Sequence, residues 1–274
     1  LTPPQKQEDA QMTEGRSYRG PTPWCNWVLV GSPTTDGGRA GALIAGGYPA
    51  SLDETENERI LLTLLNVGID TFACLQQEVN LNVKENIWRA GRAPRPYIHD
   101  VRRLLKSHGE QLKQQRCDWL HLPIVDGHIT TDLLLSQFVD ELISRLQRGS
   151  NIYLHCWGGH GRTGTVVAVL IARLWNLSVA AALHHTQSLH DQRQIPQGCG
   201  SPATPAQRSQ VRRVLAAIRA KARTEGAGAA STSASTPGAG FGAVVGSNRG
   251  SAVSAVGSSR AGVGRAAAAA ATTA

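Results

Sequence analysis

No stretch of the 274-residue sequence reaches about 18 consecutive apolar residues, so no transmembrane helix is expected. The opening LTPPQKQEDAQMTEGRS is polar and lacks the apolar centre of a secretory signal. Cysteine is scarce. There are five, at 25, 74, 117, 156 and 199, an odd number with no CxxC spacing. This argues against a disulfide framework and against a zinc site, and for reduced thiols in the cytoplasm or nucleus. His184, His185 and His190 come with no matching set of cysteines or carboxylates, so no metal is expected there either.

What is present divides the chain in three. Residues 1–20 form a polar arm with no net charge, and 21–222 carry the hydrophobic segments of one domain. From about 223 to 274 the composition is Ala/Gly/Ser with almost nothing large to bury, and disorder is expected. The net charge is +8, of which the tail supplies +3 and the body +5. A basic body suits anionic partners such as phosphorylated proteins, phosphoinositides or RNA, and equally a plain soluble surface.

Within the body, CNWVLVG (25–31) and GALIAGGYP (41–49) read as a pair of strands. SLDETENERILLTLLNVG reads as a helix, with Ser51 and Glu54 as a capping box and Gly68 as its stop. IDTFACL is a buried strand, and CDWLHLPIVD a strand that ends in a loop. Segment 76–116 is helical only in its second half, because Pro94 and Pro96 interrupt what precedes it. TDLLLSQFVDELISRLQRG is an amphipathic helix begun by Thr130 or Thr131 and stopped by Gly149. SNIYLHC is a strand, RTGTVVAVLIARLWN an almost wholly apolar and therefore buried helix, and two helices follow near 178–190 and 205–221. Strands alternating with helices predict an α/β fold, a largely parallel sheet with helices on both faces.

Between the strand and the buried helix stands HCWGGHGRTG, residues 155–164. Ligands bind at the carboxyl ends of strands in such sheets. Gly158, Gly159, Gly161 and Gly164 let the backbone curl, so that N–H groups converge at a helix N-terminus and can hold a phosphate-sized anion. Arg162 adds a planar fork for two phosphate oxygens. Cys156 would lie at the bottom of the cradle, where dipoles and Arg162 favour the thiolate. Thr163 is expected to hydrogen-bond the sulfur. A structural thiol beside a turn is the plain alternative; it leaves the joint spacing unexplained. A thiolate attacking a phosphate ester needs an acid for the leaving oxygen. Asp126, in the LPIVDGHITTD loop, is placed for that role. Its alternative is a turn former, and Asp132 reads as a helix-end carboxylate.

The decapeptide resembles the HCxxGxxR[ST]G signature of the cysteine-dependent protein tyrosine phosphatase superfamily, and the Asp126 loop is similar to the acid loop of its dual-specificity members. The resemblance spans roughly 24–216. It implies a phosphate-binding loop of Trp157, Gly158, Gly159, His160, Gly161 and Arg162, with Cys156 as nucleophile and Arg162 as clamp. His155 would tune the thiolate, or be only a satisfied strand-end histidine. Thr204-Pro205-Ala206-Gln207-Arg208 resembles a segment of the phosphoinositide phosphatases in which a glutamine helps position water; Gln207 is equally explained as a first-turn residue. Cys74 reads first as a structural thiol; in some relatives a cysteine on the corresponding strand forms a reversible disulfide with the nucleophile.

The resemblance implies hydrolysis of phosphotyrosine and phosphoserine/threonine on proteins, with no cofactor or metal. The domain is short and has no long recognition loop, which favours dual specificity. Phosphoinositide or inositol-phosphate substrates rank second, since lipid-directed relatives keep lysines where this chain has Trp157 and His160. RNA 5′-triphosphatase activity ranks below, and nucleic acid is not an expected partner. A non-catalytic phosphate-binding scaffold is the reading from another class; it fits less well because cysteine, arginine and acid are all present.

Overall fold

The computed structural model describes residues 17–31, 38–112, 114–195 and 198–231. The chain divides into a compact unit, Leu1–Gly228, and a second unit, Ala229–Ala274, of which only the residues up to Ser231 are described. The first unit holds the strands β1 (Cys25–Leu29), β2 (Leu43–Gly46), β3 (Thr71–Gln76), β4 (Asp118–Ile124) and β5 (Ile152–His155). Its helices are α1 (Glu54–Asn66), α2 (Glu85–Arg89), α3 (Ile98–His108), α4 (Asp132–Gln147), α5 (Gly161–Leu174) and α6 (Val179–His190). The last helix, α7, runs Pro205–Ser231.

The five strands form one sheet in the order β1-β2-β5-β3-β4. Only β1 is antiparallel to its neighbour; the pairings of β2 with β5, β5 with β3 and β3 with β4 are parallel. The alternation of side chains along a strand sorts the apolar residues onto two cores. Leu43, Ala45, Ala73, Leu75, Ile152 and Leu154 face one side, against α4, α5 and α6 through residues such as Leu135, Val139, Val166, Leu170 and Leu189. Ile44, Phe72 and Tyr153 face the other, against Leu61 and Leu65 of α1 and Ile98 and Val101 of α3. Central strands covered on both faces explain why β3 and β5 are buried along their whole length. Helix α5 is buried from Arg162 to Ala172. Each fully buried aliphatic side chain there contributes about 1.5–3 kcal/mol, so the helix that follows the glycine loop is anchored along its length.

Helix boundaries differ from expectation at three places. The N-cap of α1 is Asp53, whose Oδ1 accepts from the Glu56 amide at 2.8 Å. Ser51 lies outside the helix and accepts from the Asp53 amide at 3.2 Å. Asp53 and Glu56 repeat the same box spacing two residues on, and aspartate caps a helix as well as serine does. In segment 76–116, α2 has only five residues, too short to leave a periodic signal. Helix α7 continues through 223–231, where composition had suggested a tail, because Ala, Arg, Lys and Glu at 216–225 are strong helix formers that carry it past Gly226. The remainder of the expected tail, 232–274, and most of the arm, 1–16, lie outside the described residues.

Candidate active site

Strand β5 delivers Cys156 to the carboxyl edge of the sheet, and α5 begins five residues later at Gly161. The loop between them is shaped by bonds to its carbonyls. Trp157 O accepts from the Tyr48 amide at 2.8 Å. Gly158 O and Gly159 O accept from the Arg193 guanidinium, at 3.2 and 3.0 Å. His160 O accepts from Ser201 Oγ at 3.1 Å and from the Gly164 amide at 2.9 Å. In a planar trans peptide the N–H of the next residue points opposite to the carbonyl. Carbonyls tied outward at 157, 158 and 159 therefore aim the amides of 158, 159 and 160 inward. Gly159 has φ +75°, and a Cβ there would stand 2.3 Å from Gly46 O, so only glycine lets the loop lie on β2.

Arg193 is one of the residues that sequence reasoning missed. It is buried, 5 % exposed, and also binds Asn26 Oδ1 at 2.9 Å and Ala45 O at 3.4 Å. One guanidinium thus joins β1, β2 and the loop. It lies in QRQIPQG, which carries no motif.

Arg162 is 2 % exposed. Its Nη1 donates to Ile124 O at 2.9 Å, the last residue of β4, and to both oxygens of Glu78 at 3.1 and 2.9 Å. Its Nη2 lies 2.7 Å from Asp126 Oδ1, at an angle that makes no hydrogen bond. Nε and Nη2 are buried donors with no hydrogen-bond partner among the described residues. Nε is thus an unsatisfied buried donor, which costs about 1–3 kcal/mol, more when charged, and the planar edge it shares with the ion-paired Nη2 matches two oxygens of a phosphate. Glu78, missed in the sequence, sits in a turn after β3 and shares with Asp126 the charge of Arg162.

Thr163 is buried, but its Oγ1 makes no hydrogen bond, so the expected bond to the Cys156 sulfur is not formed. His155 is fully buried. Its Nε2 meets the Tyr97 hydroxyl at 2.6 Å and its Nδ1 lies 3.4 Å from Cys156 O. Burial, above all, pushes its pKa down to about 3, so it is neutral. The Tyr97 phenol is held well above its usual value by burial and stays protonated. Tyr97 therefore donates to Nε2, and His155 Nδ1–H points to the carbonyl of Cys156.

Asp126 stands on the exposed turn after β4, with its side chain 75 % exposed. That turn is tied to α7. Gln207 Nε2 donates to His128 O at 3.2 Å, and Gln210 Nε2 donates to Thr130 O at 2.6 Å and to Asp132 Oδ1 at 3.0 Å. The turn that carries Asp126 is thus strapped to α7. Gln207 is occupied as a helix cap: its Oε1 accepts from the Thr204 amide at 3.0 Å, and Thr204 Oγ1 accepts from its amide at 3.2 Å. This reciprocal capping box gives Gln207 the first-turn role, and its carboxamide lies beside Gly161 of the loop.

The loop's other two side chains have partners of their own. Trp157 is 59 % exposed and stacks on Tyr48 at 5.4 Å. His160 Nδ1 is 2.7 Å from His190 Nε2. Cys74 is buried opposite His155 in the β3–β5 pairing, one residue from the position of Cys156 at the end of β5. Burial, chiefly, pushes its thiol up to about 12, and both it and Cys156 are free cysteines.

With this geometry in hand, similarity to other proteins becomes specific. The family model described as Swiss Army Knife protein, DSP-PTPase phosphatase domain (PTP-SAK) matches residues 39–211. The protein 067L of Invertebrate iridescent virus 3, a tyrosine phosphatase by name, is 38 % identical over 80 residues, 28 % of this chain and 33 % of that one. The protein 197R of Invertebrate iridescent virus 6, again a tyrosine phosphatase by name, is 30 % identical over 83 residues, 29 % of this chain and 31 % of that one. The chain therefore spans about a third of the length of these curated relatives. Among solved structures, Tk-PTP in its active form is similar with a TM-score of 0.42 and 20 % identity, covering 64 % of this chain and 90 % of that one. No helix among the described residues is long and apolar enough to cross a membrane. The match over 39–211 covers more than half of the chain, and the chain belongs to the DSP-PTPase phosphatase domain family.

Proposed function

We propose that this chain hydrolyses phosphate monoesters on phosphoproteins, accepting phosphotyrosine and phosphoserine/threonine, through a phosphocysteine intermediate. One observation carries the reading: Arg162, six residues after Cys156, is buried with Nε lacking a hydrogen bond and Nη2 held only by the ion pair to Asp126. In the proposed reaction the substrate phosphate lies on those donors and on the inward amides of 158–160. The Cys156 thiolate attacks phosphorus, the P–O bond to the leaving group breaks, and Asp126 gives its proton to the leaving oxygen. Asp126, now a carboxylate, then takes a proton from water as that water attacks phosphocysteine, which releases inorganic phosphate and the thiolate. His155 acts by fixing the Cys156 carbonyl. Cys74 is proposed as the partner for a reversible disulfide, and a peroxide-treated sample that shows no Cys74–Cys156 link by mass spectrometry overturns that part. The free cysteines support a cytoplasmic or nuclear setting as part of the same proposal.

Phosphoinositide hydrolysis is less well supported. The two positions that lysines fill in lipid-directed relatives hold an exposed tryptophan and a histidine bonded to His190. The test is turnover of p-nitrophenyl phosphate by wild type and by Cys156→Ser. Turnover abolished in the variant supports the reading; no turnover by folded, reduced wild type, or equal turnover by the variant, sinks it.

A further inference from the structure

A cavity of about 580 Å³ opens beside the phosphate loop, and Asp126, Glu78 and Trp157 lie on its wall. Its size is that of a small-molecule site. Three features give it a direction. The stacked pair Tyr48 and Trp157 forms an aromatic wall next to the loop. Leu52, 51 % exposed, and Pro94 add apolar surface to the wall. Arg92, itself exposed, lies at its rim. Gly91, with φ +69°, turns the chain sharply after α2 and sets Arg92 on that rim.

Arg92 differs from its neighbours in charge balance. Arg95, also on the wall, is held by Asp100 at 2.7 Å and Glu54 at 2.6 Å, and Arg89 by Glu85 and Glu54. Arg92 is exposed, and its guanidinium has no hydrogen bond or ion pair among the described residues. The cavity wall therefore carries one exposed guanidinium without a partner among the described residues, Arg92, together with aromatic and aliphatic surface and the carboxylates of Glu78 and Asp126, both of which pair with Arg162.

We infer that Arg92 forms a second anion subsite, and that the substrates it selects are phosphotyrosine segments with an acidic side chain near the phosphorylated residue. An aromatic ring has surface to place on Tyr48 and Trp157, and a peptide has aliphatic atoms to place on Leu52 and Pro94. A polyphosphorylated inositol has little apolar surface to offer this wall and would need more than one unpaired cation. The inference rests on the phosphatase reading for the phosphate end only.

The test uses the Cys156→Ser protein, so that binding is read without turnover. Phosphotyrosine peptides carrying one glutamate at successive flanking positions are compared by calorimetry with alanine and lysine counterparts. At one or more positions glutamate is expected to tighten binding about fivefold, the scale of a partly exposed ion pair. Arg92→Ala should erase that difference, and Arg92→Glu should reverse it in favour of lysine, which a folding defect cannot do. Absence of a glutamate preference, or one that survives Arg92→Ala, overturns the subsite. So does a soluble inositol bisphosphate whose affinity depends on Arg92 more strongly than the peptide's. Wild-type turnover of the same peptides separates the two readings. Charge-selective binding without turnover sinks the phosphatase and keeps the subsite; turnover without charge selection does the opposite.

Discussion

Asp126 Oδ1 lies 2.7 Å from Arg162 Nη2. The proposed acid and the proposed phosphate clamp are thus paired with each other. A phosphate dianion entering the loop takes over the same edge of Arg162 and displaces the carboxylate toward the leaving group. Asp126→Asn removes both the proton and the competing charge. With a phosphotyrosine peptide, whose leaving group is poor, kcat is expected to fall about 10²- to 10⁴-fold. Phosphate or vanadate should bind more tightly than to wild type. Steady-state kinetics and inhibitor titration check both; weaker oxyanion binding in the variant overturns the competition.

Arg193 is expected to act on phosphate binding through the loop backbone. Removing its side chain strips donors from Gly158 O and Gly159 O, each loss worth about 1–3 kcal/mol when buried. Arg193→Lys keeps the charge but cannot span four acceptors. Both variants should lower Tm. The informative readout is vanadate affinity in the fraction that stays folded, which should drop by tenfold or more. Asn26→Ala is the control: it removes the 2.9 Å bond to Arg193 but leaves the loop bonds in place. A Tm loss without a change in vanadate affinity for Arg193→Lys refutes the positioning role.

The residues legible in the sequence and those that were not differ in how their partners are spaced. Cys156, Arg162 and the loop glycines act within ten residues, so their chemistry is written as a local pattern. The central strands were legible because burial on both faces leaves continuous apolar runs bounded by glycine. Glu78 reaches Arg162 across 84 residues and Arg193 reaches Gly159 across 34. Pairs at such separation leave no periodicity, and a lone charged residue in a turn reads as solvated. Asp126 was found because the proposed chemistry demanded an acid, a strand ended beside it, and its loop resembles the acid loop of dual-specificity phosphatases. Gln207 was singled out on resemblance, yet its hydrogen bonds obey the local rule for a helix start.

Acid should destabilise the fold before the carboxylates titrate. Burial is the main cause of the low pKa values of His155, about 3, and His190, about 4. Both take their usual value near 6.5 once unfolded. The unfolded chain then binds more protons than the folded one, so this contribution is full above pH 6.5 and is lost as pH falls below it. Urea unfolding at pH 7, 6 and 5 should show falling stability, with a shallower slope for His190→Gln. Equal slopes in the two proteins refute the assignment to His190.

The strap between α7 and the acid turn leads to a split between binding and chemistry. Gln210 is 1 % exposed and holds Thr130 O and Asp132, six residues at most from Asp126. Arg213 adds two bonds to Asp132 at 3.0 Å. None of these groups touches the phosphate loop. Gln210→Ala should therefore loosen the turn that carries the acid while leaving the cradle intact. The expected result is a kcat loss of about tenfold on phosphotyrosine peptides, with vanadate affinity unchanged. The loss should shrink for p-nitrophenyl phosphate, whose leaving group needs little protonation. Gln210→Glu serves as the second variant. It keeps the length of the side chain but replaces a donor with an acceptor facing Thr130 O and Asp132, so it should be at least as damaging. If both variants lose activity equally on good and poor leaving groups, the strap supports the fold rather than the acid.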